Sequence, residues 1–383
     1  MIRVLFVTHV PQLGGGNRAM LHLICHLQKT KMVIPYVLLP DTDYDGPLLK
    51  DKLDEINIEY FFAPIRYFKE NNPNIKYQLV CFKGYLEYLF SKRKEYKRFI
   101  SYKFDIVHSN TSVIDIGAWL SLQLHAKHVW HFREFGDLDY NFYPLGTKIY
   151  ERFSYRHADA YIAVSKCIAN HFAKKVRSKR LFTIYDGVDT SDDAILSLHD
   201  NVHVKFISAG VLCEGKNQIE IVQAAKILRE RNILEFHITL VGDNKNKYAD
   251  AIRKYIKDNR LENYIFLMKE VDGIGRLLSN MDVGITASKN EAFGLTTIEY
   301  QLQNLLAIVN DSGANTELVT DNQTGLVYEC GNPNSLADKM EIAIKDRKRL
   351  IALAYAGRVN AMKNFTAEVN AQLVYQLYKK ILL

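Results

Sequence analysis

Cysteine is scarce and unpatterned in this chain of 383 residues: Cys25, Cys81, Cys167, Cys213 and Cys330 are scattered, odd in number and never paired as C-x-x-C. That usage argues against a disulfide framework and against the common zinc spacings, and it reads as the reduced thiols of a cytosolic protein. Long hydrophobic runs are missing too. The apolar start M-I-R-V-L-F-V-T-H-V meets Gly14-Gly15-Gly16 too soon for a spanning helix, so it reads as a first strand and not as a signal peptide. Low-complexity tracts and short repeats are absent. The charge excess is mild, +7 with a pI of about 8.9. It suits an anionic ligand or a membrane surface but is too small to argue for nucleic acid, and no RNA-binding signature accompanies it.

What is present is a globular composition, 48% hydrophobic and 24% charged, at a length that suits two domains. The most informative stretch is 287–300, A-S-K-N-E-A-F-G-L-T-T-I-E-Y. The apolar run before it, 281–287, reads as a buried parallel strand, and the pattern after Gly294 reads as a helix start with Thr296 and Thr297 near its first turn. Glu291 then lies on a loop at the carboxyl end of a strand, where open α/β sheets bind ligands. The helix N-terminus entered through Phe293, Gly294, Leu295 and Thr296 offers amides and a positive dipole end to a phosphate. Glu299, one to two turns further in, would repel phosphate but can accept hydrogen bonds from sugar hydroxyls. A diphosphate site flanked by two carboxylates suggests a nucleotide-sugar. Two solvated glutamates on an ordinary strand–loop–helix remain the plain alternative.

Near the N-terminus, a strand at 3–8 and an amphipathic helix at 17–28 enclose Pro11-Gln12-Leu13-Gly14-Gly15-Gly16. Glycines let a backbone approach a phosphate closely. Gly14-x-Gly16-x-x-Ala19 fits the dinucleotide fingerprint, and Asp41 follows a second strand at a tolerable distance. Against that reading, the six residues 8–13 run from the strand's last residue to the first glycine, where the fingerprint wants an immediate turn. Over residues 65–104, ten Lys and Arg residues interleave with eleven Tyr and Phe. This stretch reads either as helices lying on anionic membrane or as surface helices with inward aromatics and outward lysines. His131 follows a strand at 126–130 and would face the glycine loop, although a lone histidine is more often a structural hydrogen-bonder.

Glu291-x-Phe293-Gly294-x-x-x-x-Glu299 resembles the signature of the retaining GT-B glycosyltransferases of family GT4. The likeness extends over nearly the whole chain and is strongest in its second half. It implies an α/β fold of GT-B type, two Rossmann-like βαβ domains facing each other across a cleft. The first domain would be 1–189, on the acceptor side, the second 190–364, binding the nucleotide-sugar, with a terminal helix at 365–383 crossing back onto the first. Residues 190–201 read as the linker. The resemblance implies that Gly15 and Gly16 face the donor diphosphate, that His131 touches sugar hydroxyls, and that Gly210 opens the donor loop carrying Lys216. It further implies that Val271 lies in the loop receiving the base, that Glu291 positions the donor and that Glu299 holds the ribose. Two departures stand out. Val211 replaces the family's arginine beside the diphosphate, and Asp186 replaces the asparagine of its N-G-V-D pattern. One cation fewer should weaken donor binding and leaving-group stabilisation unless Arg18, Arg133 or another base fills in.

The implied reaction is a metal-independent transfer from a nucleotide-sugar, expected to be a UDP-sugar, to a glycan or lipid-linked saccharide in polysaccharide assembly. Lys216, the Gly15 and Gly16 amides and the helix start at 295–296 would stabilise the leaving diphosphate. No cofactor or metal is expected, and Asp41-x-Asp43 and Asp137-x-Asp139 read as a strand-end loop and an acidic turn. The expected partners are the donor, the acceptor and a peripheral membrane contact through 66–103, without nucleic acid. A non-hydrolysing nucleotide-sugar epimerase and a non-catalytic nucleotide-sugar binder compete with this reading.

Overall fold

The computed structural model describes residues 1–383 except 43–47, 146–147, 191–202, 243–244, 270 and 272–273, and of 92–95 and 148–149 the backbone alone. Asp43, Glu270, the side chains of Lys92, Arg93 and Lys94, and the linker from 191 onward therefore lie outside the described residues. The chain divides into two compact units, Met1–Gly187 with Ala367–Leu383, and Val188–Thr366.

In the first unit the strands are β1 (Ile2–Val7), β2 (Val33–Pro40), β3 (Glu59–Ala63), β4 (Lys69–Glu70), β5 (Ile106–Ser109), β6 (Lys127–Phe132), β7 (Tyr143–Pro144), β8 (Ala160–Ala163) and β9 (Leu181–Thr183). Seven of them form one parallel sheet in the order β3-β2-β1-β5-β6-β8-β9. Such a sheet is covered on both faces, which is why β1 and β8 read as near-continuous apolar runs. β4 and β7 pair antiparallel apart from it, a small ribbon the sequence pattern does not announce. The buried Lys69 ammonium, 3.1 Å from the Glu151 carboxylate, pins that ribbon to the helix Lys148–Tyr155.

One face of the large sheet packs on the helix Gly15–Lys29 and on the terminal helix Ala367–Leu382, whose Ala371, Val374, Leu377 and Tyr378 join the core of β1, β2 and β5. The helix Ile75–Tyr96 is a single 22-residue element. Its Tyr85, Tyr88, Leu89 and Tyr96 turn inward, whereas Ile75, Leu79, Val80 and Phe90 are exposed beside exposed Lys76 and Lys83. Among the described residues no helix is long and apolar enough to cross a membrane.

The second unit repeats the plan with β10 (Val204–Ala209), β11 (Phe236–Val241), β12 (Ile265–Met268), β13 (Val283–Thr286), β14 (Leu306–Asn310) and β15 (Leu326–Tyr328). They form a parallel sheet in the order β12-β11-β10-β13-β14-β15. In both sheets the order reverses once, between β1 and β5 and between β10 and β13. Two neighbouring strands there send their connections to opposite sides, which opens a crevice at their carboxyl ends. The candidate residues cluster at these two places.

Candidate active site

At the β10/β13 crevice, the loop after β13 carries Glu291 and delivers the chain to the helix Leu295–Leu302. Gly294 occupies the N-cap with φ of +106°, a conformation that favours glycine, and lets the chain turn from loop into helix. The first bonds of that helix run from the amides of Thr297 and Ile298 to Gly294 O. Leu295 and Thr296 thus present the helix's leading amides, at the positive end of its dipole. Tyr300, one turn on, accepts a 2.8 Å hydrogen bond from the Ala209 amide and fastens this helix to the end of β10.

The Glu291 loop is braced from behind. Asn310 Nδ2 donates to Ser288 O at 3.0 Å, the Ser312 hydroxyl donates to Lys289 O, and the Ala314 amide donates to Glu291 O at 2.8 Å. Gly313, at φ +61°, passes so close that a Cβ there would lie 2.3 Å from Glu291 O and 2.7 Å from Glu291 N. None of Asn310, Ser312 or Gly313 was singled out from sequence. An Asn-x-Ser-Gly run just past a strand was the available signal.

Ala209, Lys216, Gln218, Ser288, Glu291 and Thr296 line one pocket. Within it Lys216 Nζ lies 2.9 Å from Glu291 Oε2, pairing a lysine whose side chain is 42% exposed with a carboxylate that is 12% exposed. Burial pushes the Glu291 carboxyl up, but the Lys216 charge, its hydrogen bond and those from Ser288 and the Phe293 amide bring it below the usual carboxylate range. The sequence reading gave these two side chains separate duties; the structure pairs them with each other. Glu299 is half-buried on the second turn of the helix. Val211 is 51% exposed. Val271 packs partly buried beside Val241, Leu278 and Tyr300.

At the β1/β5 crevice, Gly15 and Gly16 are not loop residues as expected. They form the first turn of their helix, with Gly14 as an extended N-cap, because the bonds from Asn17 and Arg18 to Gly14 O start the helix early. All three glycines are exposed. The preceding loop is shaped by buried Asn17, which accepts from the Thr8 hydroxyl at 2.7 Å and donates to Val10 O and Gln12 O at 2.9 and 2.7 Å.

His131 differs from expectation more sharply. It belongs to β6, which continues to Phe132 because His131 and Phe132 pair with Ile162 and Ala163 of β8. The imidazole therefore has no exposed surface. Its Nδ1 lies 3.1 Å from His108 Nε2 and 3.3 Å from Arg133 Nη2, and its Nε2 lies 3.7 Å from Asp186 Oδ1. Burial, and then the Arg133 charge, hold both histidines well below their ordinary 6.5, which favours their neutral forms. Arg133 is bound to Asp186 through Nη1 and donates from Nε to Asn110 Oδ1 at 2.7 Å. Burial raises the Asp186 carboxyl, and Arg133 opposes that rise. Arg133 is 8% exposed, and its guanidinium is held by Asp186. Arg18 is exposed and donates from Nε to Leu13 O at 3.1 Å. Asn110 in turn donates to Gly16 O at 3.2 Å and couples this cluster to the glycine turn. Sequence reasoning overlooked His108, which looks like one more residue of a buried strand.

In the acidic turn, Asp137 lies 3.0 Å from His171 Nε2, and Asp139 accepts from the amides of Phe135 and Gly136. Among the described residues no group of three or more His, Cys, Asp or Glu side chains stands together as a metal site.

Comparison with known proteins adds identity to this geometry. Residues 13–192 match Glycosyltransferase Family 4 and residues 197–360 match Glycosyl transferases group 1. An uncharacterised glycosyltransferase of Methanocaldococcus jannaschii is 25% identical over 319 residues, 81% of this chain and 84% of its own. The UDP-Gal:alpha-D-GlcNAc-diphosphoundecaprenol alpha-1,3-galactosyltransferase of Escherichia coli is 24% identical over an alignment covering 98% of this chain and 96% of its own. Among solved structures, Anabaena HepE in complex with UDP and glucose superposes with a TM-score of 0.80 at 17% identity, covering 99% of this chain and 100% of that one.

Proposed function

The chain belongs to the glycosyltransferases of family 4 and group 1, with the GT-B fold, and on that premise we propose that it moves a sugar from a UDP-sugar to a saccharide acceptor with retention and without a metal. The observation that carries the donor assignment is the β10/β13 pocket. It joins a helix N-terminus, the Lys216 ammonium from the loop after β10 and the Glu291 carboxylate from the braced loop after β13.

In this reading the diphosphate meets the Leu295 and Thr296 amides and draws on Lys216. Its arrival loosens the Lys216–Glu291 pair, and the released carboxylate takes sugar hydroxyls. Glu299 accepts from the ribose hydroxyls. The bond between C1 and the phosphate oxygen breaks as positive charge grows on the ring and negative charge on the diphosphate, which pre-placed donors stabilise without reorganising. The acceptor hydroxyl attacks C1 from the face the diphosphate leaves, and its proton passes to the departing phosphate oxygen. Glu291 is given no covalent role. His131 is assigned a sugar hydroxyl through Nε2, the ring atom without a hydrogen-bond partner among the described residues.

A lipid-linked acceptor in surface-polysaccharide assembly is supported by the Escherichia coli relative's name, which specifies a diphosphoundecaprenol carrier. Exposed Ile75, Leu79, Val80 and Phe90 among lysines fit a contact with the cytosolic face of an anionic membrane. Neutralising Lys76, Lys83, Lys97 and Arg98 should reduce co-sedimentation with phosphatidylserine vesicles; undiminished sedimentation would remove the membrane contact from this reading.

The donor assignment is tested by calorimetry with UDP, GDP and ADP in the presence of EDTA, for the native chain and Glu299→Ala. UDP binding that survives EDTA and weakens about 10- to 150-fold in the variant is expected, since each lost hydrogen bond to a charged group is worth about 1.5–3 kcal/mol. Binding that requires a divalent cation, or that ignores Glu299, would refute it.

A further inference from the structure

The terminal helix does more than cover the first unit's sheet. Its Tyr378 hydroxyl lies 2.6 Å from His108 Nδ1, His108 Nε2 lies 3.1 Å from His131 Nδ1, and Arg133 Nη2 lies 3.3 Å from that same Nδ1. Tyr378, His108 and His131 have no exposed surface, and Arg133 and Asp186 are buried beside them.

A tyrosine and two imidazoles in series could in principle be wired in either direction, because each nitrogen either donates or accepts. Arginine removes that freedom. A guanidinium has only donors, so the Arg133 contact requires His131 Nδ1 to accept. His108 Nε2 faces the same atom and must therefore carry its proton. A neutral His108 then has an unprotonated Nδ1, which accepts from the Tyr378 hydroxyl. The reverse wiring would set two N–H groups against each other at 3.3 Å. An imidazolium at His131 would do the same, next to a fixed positive charge.

We infer that Tyr378 and His108 are positioning residues, forming a one-way hydrogen-bond wire from the terminal helix that orients the His131 ring and leaves Nε2–H as its single donor. This rests on the sugar-contact role given to His131 above. Phe6, 4.9 Å ring to ring from His108, supplies the apolar wall against which the wire is set. The donor the wire leaves is a buried polar atom that faces Asp186 Oδ1 at 3.7 Å, beyond hydrogen-bond distance, and has no hydrogen-bond partner among the described residues, the condition that calls for a ligand group or another polar partner. The opposite tautomer would offer an acceptor there in place of a donor.

The test is carried out on the full chain labelled with nitrogen-15. Long-range proton–nitrogen spectra of the imidazoles are recorded near neutral pH, with the His108 and His131 signals among the twelve histidines identified by their loss in His108→Gln and His131→Gln. Both rings should show the Nε2–H tautomer alone. In Tyr378→Phe the ring packing is kept but the donor to His108 is lost. The His108 signals should then move toward a tautomer mixture, while thermal unfolding still shows a folded chain. The rate of UDP release from UDP-glucose should fall about 10-fold, the scale set by a small loss of orientation. His108→Gln, whose amide can still donate to His131 Nδ1, should retain more of that rate than His108→Phe. An Nδ1–H tautomer or an imidazolium at His131 would overturn the inference, as would unchanged imidazole signals and release in Tyr378→Phe. If the native chain releases no UDP, the donor reading fails, and the imidazole signals still decide the wire.

Discussion

Lys216→Met tests the central geometry of the second unit. The substitution keeps the aliphatic stem and removes the charge that faces Glu291 at 2.9 Å. Breaking a fully buried ion pair costs about 3–5 kcal/mol, and losing an exposed one costs about 0–1 kcal/mol. Here the carboxylate is 12% and the lysine 42% exposed, and Ser288 and the Phe293 amide go on serving Glu291. The expected loss is therefore intermediate, about 1–2 kcal/mol near neutral pH. The sign of its pH dependence follows from linkage. Glu291 titrates below its ordinary 4.5 in the native chain, so its contribution is present above that value and disappears as pH falls through the lowered one. In the variant, burial acts with less opposition and the carboxyl titrates higher. Native chain and variant should thus differ most near neutrality and converge under acid. Both tryptophans, Trp119 and Trp130, lie in the first unit, so their fluorescence is silent here. Hydrogen exchange of the amides of 283–302 reports the second unit directly. A difference below about 0.3 kcal/mol, or one that persists unchanged into acid, would refute the pairing. In a double-mutant cycle Lys216→Met and Glu291→Gln should couple by about 1 kcal/mol.

Two further substitutions follow from close packing and from charge. Gly313→Ala places a methyl 2.3 Å from Glu291 O at φ +61°, where the neighbouring backbone must move. It should destabilise the second unit by about 2 kcal/mol and weaken UDP binding in calorimetry, and native-like values for both would remove the bracing role. Asp186→Asn restores the family's usual residue yet strands the buried Arg133 charge. It should lower stability by about 3 kcal/mol in urea unfolding followed by tryptophan fluorescence, and a neutral or stabilising result would refute the pairing described here.

The strands were legible because parallel strands buried on both faces are near-continuous apolar runs, as V-G-I-T and L-A-I-V-N are up to their polar last residues. The loop–helix junction at Gly294 was legible for a local reason as well, since a positive-φ cap and a helix start leave their marks within four residues. Pairings between distant residues left no such trace. Lys216 and Glu291 stand 75 positions apart, and His108 and Tyr378 stand 270 apart, so only the closed sheet and its packed helices bring them together. His131 was misplaced by one pleat. The strand end was set where the apolar run seemed to stop, whereas pairing with β8 carries β6 on to Phe132. Gly15 and Gly16 erred in the opposite sense, because low helix propensity suggested a loop where the Gly14 carbonyl already starts the helix.

The order in which the chain is made gives the terminal helix a second meaning. The chain leaves the first unit near Gly187 and returns to it at Ala367, and Val188 and Thr366 run side by side as it does so. During synthesis on a ribosome, the seven-stranded sheet can assemble well before the helix that covers it exists. Until then the face that receives Val374 and Tyr378 stays open to solvent, and the His108 imidazole lacks its partner. A nascent first unit is thus a state for chaperones to shield. Its maturation waits on the translation of an entire second unit.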